Sequence, residues 1–90
     1  MYAAHLNRAD MIGIKANSAS LQEAHLMEAE LRQADLSEAD VHGAQLDGAN
    51  LSGANLSGAN VTTGQLTRCE TLENATMPNG QEYEDWLKDR

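Results

Sequence analysis

Two histidines and one cysteine are the residues of this 90-residue chain whose chemistry points most directly to a ligand. His5 and His25 are 20 positions apart, and two imidazoles brought together could share a metal ion. A third ligand is missing because His42 falls outside that spacing, so a polar ladder on the surface is the favoured interpretation. Cys69 has no second cysteine to pair with, and we expect a small buried thiol rather than a reactive one.

Acidic side chains are the second candidate, because the chain carries a formal net charge of −8. Arg32 is the only basic residue in the acidic stretch over 23–47, whereas residues 48–68 contain one charged residue, Arg68. So few basic residues disfavour direct contact with nucleic acid or with an anionic membrane. The candidate partner surface comprises Glu23, Glu28, Glu30, Asp35, Glu38 and Asp40. The alternative is a surface that only confers solubility.

Catalysis has little support in the sequence. No spacing suggests a Ser-His-Asp set, and no glycine-rich phosphate loop is present. We therefore expect no catalytic residues, no cofactor and no metal site. No apolar run approaches the length of a membrane span or a signal sequence, so the expected location is cytoplasmic.

A repeat of five residues positions all of these side chains. Each block over residues 4–68 keeps one frame, with an apolar centre in nearly every block and usually an alanine two residues earlier. A short fixed period is the signature of a solenoid. The centres expected to point inward are Leu6, Met11, Leu21, Leu26, Leu31, Leu36, Val41, Leu46, Leu51, Leu56, Val61 and Leu66. The small inward residues beside them are Ala24, Ala29, Ala34, Ala39, Ala44, Ala49, Ala54 and Ala59.

The period of five excludes the two common secondary structures. A helix turns by about 100° per residue, so steps of five would scatter Leu21, Leu26 and Leu31 around its surface. In a flat strand an odd step would send successive leucines to opposite faces. The pattern is satisfied only if the chain turns a corner in every block, which directs each centre inward again.

The blocks ADLSE (34–38) and ANLSG (49–53) resemble the A-(D/N)-L-x-x motif of the pentapeptide repeat family. This resemblance covers residues 4–68, and the segment 75–80 also resembles the way many cyanobacterial members end. It implies an all-β solenoid, a right-handed quadrilateral β-helix with about 20 residues per coil and about three and a half coils. Residues 20 apart are then expected to stack on one side.

The frame changes after Leu66. Thr71 occupies a position that should be apolar, and Ala75 with Met77 resumes the pattern one residue late. We therefore place a register slip near residues 69–72, after in-frame repeats over 4–68.

Two domains follow from this slip. The β-helix is predicted to occupy residues 1–80 and a helical cap residues 81–90. Within the cap Tyr83, Trp86 and Leu87 have helical spacing and would cover the last coil. No comparable cap precedes the first block, so we expect an open amino-terminal coil.

The expected function is a non-enzymatic protein-interaction or scaffold module whose partner is unknown. An open first coil invites stacking on a second copy of the chain or on another repeat protein. The alternative implied by the resemblance is a DNA mimic that binds a type II topoisomerase, as quinolone-resistance members of the family do. The acidic residues disfavour it, because they form a girdle around the second coil rather than a stripe along the axis.

Overall fold

The computed structural model describes residues 4–88, which form a four-sided solenoid. Parallel bridges join residues 20 apart, from His5↔His25 to Asp40↔Asn60, with one bridged residue on each side of a coil. In the first coil side 1 is 4–8, side 2 is 9–13, side 3 is 14–18 and side 4 is 19–23, and each side recurs in the next coils. Three complete coils and three sides of a fourth are formed, the first of these three sides being helical. Residues 1–3 and 89–90 of the predicted domains lie outside the described residues.

Each corner of the solenoid is a β-turn closed by a backbone hydrogen bond. Ala54 N, for example, donates to Leu51 O over 3.0 Å. The third residue of such a turn has positive φ, 57° at Glu38 and 72° at Gly58, which glycine adopts without steric cost. Space is a second reason for glycine, because a Cβ at Gly58 would lie 3.0 Å from Glu38 Cγ. Long side chains of the second coil therefore pack over glycines of the third.

The core is a column of leucines surrounded by alanines. All the alanines predicted to point inward are buried, with at most 7% of their surface exposed, and so are most of the predicted centres. Leu6, at the open end, and Val61 are half-buried and pack against this core. Leu72, Ala75 and Met77 continue it into the fourth coil. No polar or charged residue is buried within residues 4–88, so apolar packing alone fills the interior.

The fourth coil leaves the predicted frame earlier than the sequence indicated. Side 1 of this coil is an α-helix, α1 (Thr63–Thr67), so the regular repeat ends near residue 60 instead of 68. Beyond α1 the bridged residues are 21 apart, as in Asn50↔Thr71. The slip therefore lies within 61–68 rather than near 69–72. A helix rises about 1.5 Å per residue and a strand about 3.3 Å, so α1 accommodates the extra residue without lengthening the side.

Gln65 fixes α1 to the third coil. Its Oε1 accepts from Thr62 N at 2.9 Å, and Thr62 Oγ1 accepts from Gln65 N at 3.1 Å, which makes a capping box. Its Nε2 donates to Val41 O and Ala44 O, each at 2.8 Å. In the preceding coil the equivalent acceptor, Ala24 O, accepts a hydrogen bond from the backbone N–H of Gln45 over 2.9 Å. The Gln65 side chain therefore substitutes for a strand hydrogen bond, and the Thr-x-x-Gln pattern was the sequence signal for this helix.

A second helix, α2 (Tyr83–Lys88), follows an antiparallel bridge between Thr76 and Glu82. Tyr83 and Trp86 are half-buried and pack against the core. Leu87 is 41% exposed, contrary to its predicted place in the cap. In this short helix the residues at i and i+3 face the coil, and Leu87 lies about 100° further around.

Gln65→Ala is expected to lower the free energy of unfolding by about 1–3 kcal/mol, because Ala44 O and the N–H of the N-cap residue Thr62 lose their partner and Val41 O loses one of two. Gln65→Glu should destabilise at least as much, since a carboxylate cannot donate to Val41 O or Ala44 O. Urea unfolding followed by circular dichroism measures both, with exposed Gln45→Ala as the control. Equal stability of the Gln65 and Gln45 variants would contradict this role.

Candidate interaction surface

The predicted histidine ladder is present on side 1. The rings of His5 and His25 lie 4.6 Å apart between centroids, at an interplanar angle of 62°. Gln45 continues the column in the third coil, and His42 lies on side 4. Within residues 4–88 no three histidine, cysteine or acidic side chains come together as a metal site would require.

The second residue of each block, outside the core, shapes the turn that follows it. Asn55 Oδ1 accepts from Ser57 N at 3.0 Å and Asn50 Oδ1 from Ser52 N at 3.0 Å. Asp35 Oδ1 does the same for Ser37 N at 3.1 Å. This Asx-type contact satisfies an amide at the corner, which explains why asparagine and aspartate recur here.

Carboxylates in this second position are separated along the solenoid axis by amides. Asp10↔Glu30 is the one pair of carboxylate residues bridged to each other within residues 4–88, and Arg32 Nε lies 3.1 Å from Glu30 Oε1. Adjacent coils are about 4.8 Å apart, so stacked carboxylates would repel. Between the second and third coils each carboxylate is bridged to an asparagine, as Glu30↔Asn50, Asp35↔Asn55 and Asp40↔Asn60.

Three of the six acidic residues of the candidate partner surface contact the side chain of a glutamine or an arginine. Asp40 accepts from Gln22 Nε2 at 2.8 Å. Glu28 pairs with Arg8 at 3.0 Å, an exposed contact that contributes little to stability. Glu30 pairs with Arg32, as described above.

The other acidic residues serve the turns. Asp35 is bonded to Ser37, Glu38 packs over Gly58, and Glu23 packs over Gly43 so closely that a Cβ there would overlap its carboxylate. The six residues are thus spread over all four sides. Their contacts with the solenoid itself account for each of them.

Ser37 lowers the pKa of Asp35, chiefly through the hydrogen bond from its Oγ and next through that from its backbone N–H. Lys15 contributes a smaller effect in the same direction. A lowered carboxyl pKa contributes stability that is present above the unfolded-state pKa and is lost as pH falls through the folded one. Asp35 therefore favours the folded chain at neutral pH.

Cys69 is half-buried behind α1, with its Sγ 3.8 Å from Gln65 O. Burial, and to a smaller extent the charge of Asp47, raises the pKa of the thiol to about 12. The neutral thiol is therefore the form present at neutral pH, in agreement with the expectation of an unreactive cysteine.

Unpaired backbone amides mark the first coil. The N–H groups of Glu30 and Asp35 donate to Ala9 O and Ile14 O of the preceding coil. The equivalent N–H groups of the first coil, in His5, Asp10 and Lys15, donate to no acceptor within residues 4–88. Three sides thus present strand edges of the kind that another strand can extend.

Comparison with known families agrees with this architecture. Residues 4–43 and 34–69 match the family model for pentapeptide repeats, with eight copies of the repeat. The chain belongs to the pentapeptide repeat family, and its fold is the right-handed quadrilateral β-helix, as the sequence predicted. Proteins of this family are in general structural or interaction modules.

Solved structures supply three relatives. A pentapeptide repeat protein from Nostoc PCC 7120 aligns with a TM-score of 0.57 and 28% identity, over 96% of this chain and 77% of that one. A pentapeptide repeat protein from the Arabidopsis thaliana thylakoid lumen aligns with a TM-score of 0.49 and 27% identity, over 81% of this chain and 54% of that one. HetL of Nostoc sp. strain PCC 7120, a pentapeptide repeat protein involved in heterocyst differentiation regulation, aligns with a TM-score of 0.43 and 35% identity. The alignment covers 91% of this chain and 35% of HetL.

This chain therefore spans about half the length of the Arabidopsis protein. A comparison with curated protein sequences finds no significant match. Neither helix within residues 4–88 has the length and apolar character needed to cross a membrane.

Asn55→Asp is expected to destabilise the chain at neutral pH, because it places a second carboxylate beside Asp35 while the turn bond from Ser57 N can still form. Repulsion raises the folded-state pKa of the new pair, so the loss should be largest above about pH 6 and shrink as pH falls toward 4. Asn55→Ala is the control, since it loses the turn bond, about 1 kcal/mol, at every pH. Urea unfolding at several pH values between 7 and 4 compares the free energies of unfolding of the two variants. A difference between them that does not change with pH would contradict repulsion between the carboxylates.

Cys69 in the folded chain is expected to react with Ellman's reagent at pH 8 at least about 100-fold more slowly than in the guanidinium-unfolded chain, because burial suppresses the thiolate. Absorbance at the wavelength of the released thiol follows both reactions. Equal rates in the folded and unfolded states would show that the thiol is accessible and ionised.

Proposed function

We propose that this chain is a non-enzymatic protein-interaction module that binds another protein through the edge of its first coil. The observation that carries the proposal is the row of N–H groups at His5, Asp10 and Lys15, which donate to no acceptor in the described part of the chain. A β-coil placed against this edge would satisfy them and cover the half-buried Leu6. The family membership supports a module of this kind.

Proline at an edge position tests this docking mode. Lys15→Pro removes an N–H that has no partner within the described chain, so folding should be retained while strand addition is blocked. Lys15→Ala is the matched control, because it removes the same charge and keeps the N–H. Thermal unfolding by circular dichroism first establishes that both variants are folded.

Tagged forms of the wild-type chain and of both variants then serve as baits in extracts of the source organism, beside sedimentation of each purified chain. The expected result is a partner, or a self-associated species, that is present with wild type and Lys15→Ala and absent with Lys15→Pro. Association that is equal in all three chains, or absent from all three, would overturn the proposal.

A further inference from the structure

A cleft at the opposite end of the solenoid lies between α1, side 2 of the fourth coil and α2. It has a volume of about 220 Å³. Its lining includes Leu66, Cys69, Glu70, Leu72, Tyr83 and Trp86. The cleft therefore combines apolar and aromatic side chains with the polar side chains of Thr67 and Thr71 and with an exposed carboxylate at Glu70.

The volume limits the occupant to a group about as large as one side chain. A cavity of about 150 Å³ holds benzene, whereas sites for drug-sized ligands begin at about 300 Å³. At about 220 Å³ the cleft falls between these sizes. A projecting side chain of a partner protein fits this range better than a cofactor or a metabolite.

The chemistry of the lining favours a cation. The rings of Tyr83 and Trp86 lie 6.2 Å apart between centroids at an interplanar angle of 25°, and aromatic faces attract positive charge. The surrounding segment, 69–88, carries five carboxylates and one lysine. Asp47, whose charge acts on Cys69, is paired with Arg68 at 3.7 Å, so the negative charge near the cleft is that of the segment 69–88.

We propose that this cleft binds the side chain of an arginine presented by a partner protein. A planar guanidinium can stack on an aromatic ring and pair with a carboxylate at once, whereas an ammonium group cannot form the bidentate pair. Tyr83 and Trp86 would contact the plane and the aliphatic stem, and Glu70 would hold the charge. This site is independent of the first-coil edge, so either proposal can fail without the other.

Trp86 is the single tryptophan of the chain, so intrinsic fluorescence reports directly on the cleft. Titration with N-acetyl-arginine amide at constant ionic strength is expected to produce a saturable change in that fluorescence. N-acetyl-citrulline amide, the neutral isostere, is expected to bind about five- to ten-fold more weakly. An absence of saturable fluorescence change would overturn the proposal. Equal binding of the two compounds would also overturn it, because it would show that the cleft has no preference for charge.

Glu70→Gln is expected to weaken N-acetyl-arginine amide about three- to ten-fold and to leave the citrulline compound unaffected. Glu73→Gln is the matched control, because Glu73 is exposed in the same segment and does not line the cleft. Thermal unfolding confirms that both variants fold. An equal effect of the two variants on arginine binding would show nonspecific attraction to the acidic segment and would overturn the site.

Discussion

In-register stacking every 20 residues is the constraint on which the rest of this structure depends. Because each coil repeats the path of the one before, side chains at equivalent positions lie about one strand spacing apart. Leucine above leucine and alanine above alanine make the interior close-packed, as Leu31 and Leu51 illustrate with at most 1% exposure. Outside, the same stacking brings like charges together, so it restricts what the surface can carry.

The limit on like charges in neighbouring coils explains why the acidic residues form a girdle around one coil, and this explanation needs no binding partner. A carboxylate at Asp35 or Asp40 is followed one coil later by Asn55 or Asn60. Asn55 makes the same turn-forming contact with no charge, and Asn60 Nδ2 donates to Asp40 Oδ1 over 3.1 Å. A continuous negative stripe of the kind a DNA mimic would need is interrupted by these amides. Function is therefore better sought at the two ends of the solenoid, where three first-coil N–H groups have no acceptor within residues 4–88 and where Tyr83 and Trp86 line a cleft.

The inward positions could be predicted from the period alone, because each one must be filled by a residue of fixed size. The structure of the fourth coil could not be predicted, since its apolar pattern fits one more block, 64–68, centred on Leu66. The competing signal was local: Thr62 and Gln65 form a capping box, and a few cap contacts decided the structure of that side. The prediction that Leu87 covers the last coil was wrong for a related reason. Helical spacing predicts which residues are neighbours on the helix surface but does not say which of them faces the coil. The cleft depends on how α1, α2 and the coil meet, which no local pattern encodes.

The two ends differ in a way that bears on assembly. At the carboxyl end α1 covers side 1, and Thr76 on side 3 already has an antiparallel partner in Glu82, so neither side offers a strand edge for continuation. The amino-terminal coil retains such edges. Head-to-tail stacking of copies would use strand edges at both ends of the solenoid, and sides 1 and 3 of the carboxyl end do not supply them. The insertion of a single residue and the short helix that absorbs it thus remove a strand edge from a fold whose regularity would otherwise favour the addition of further coils.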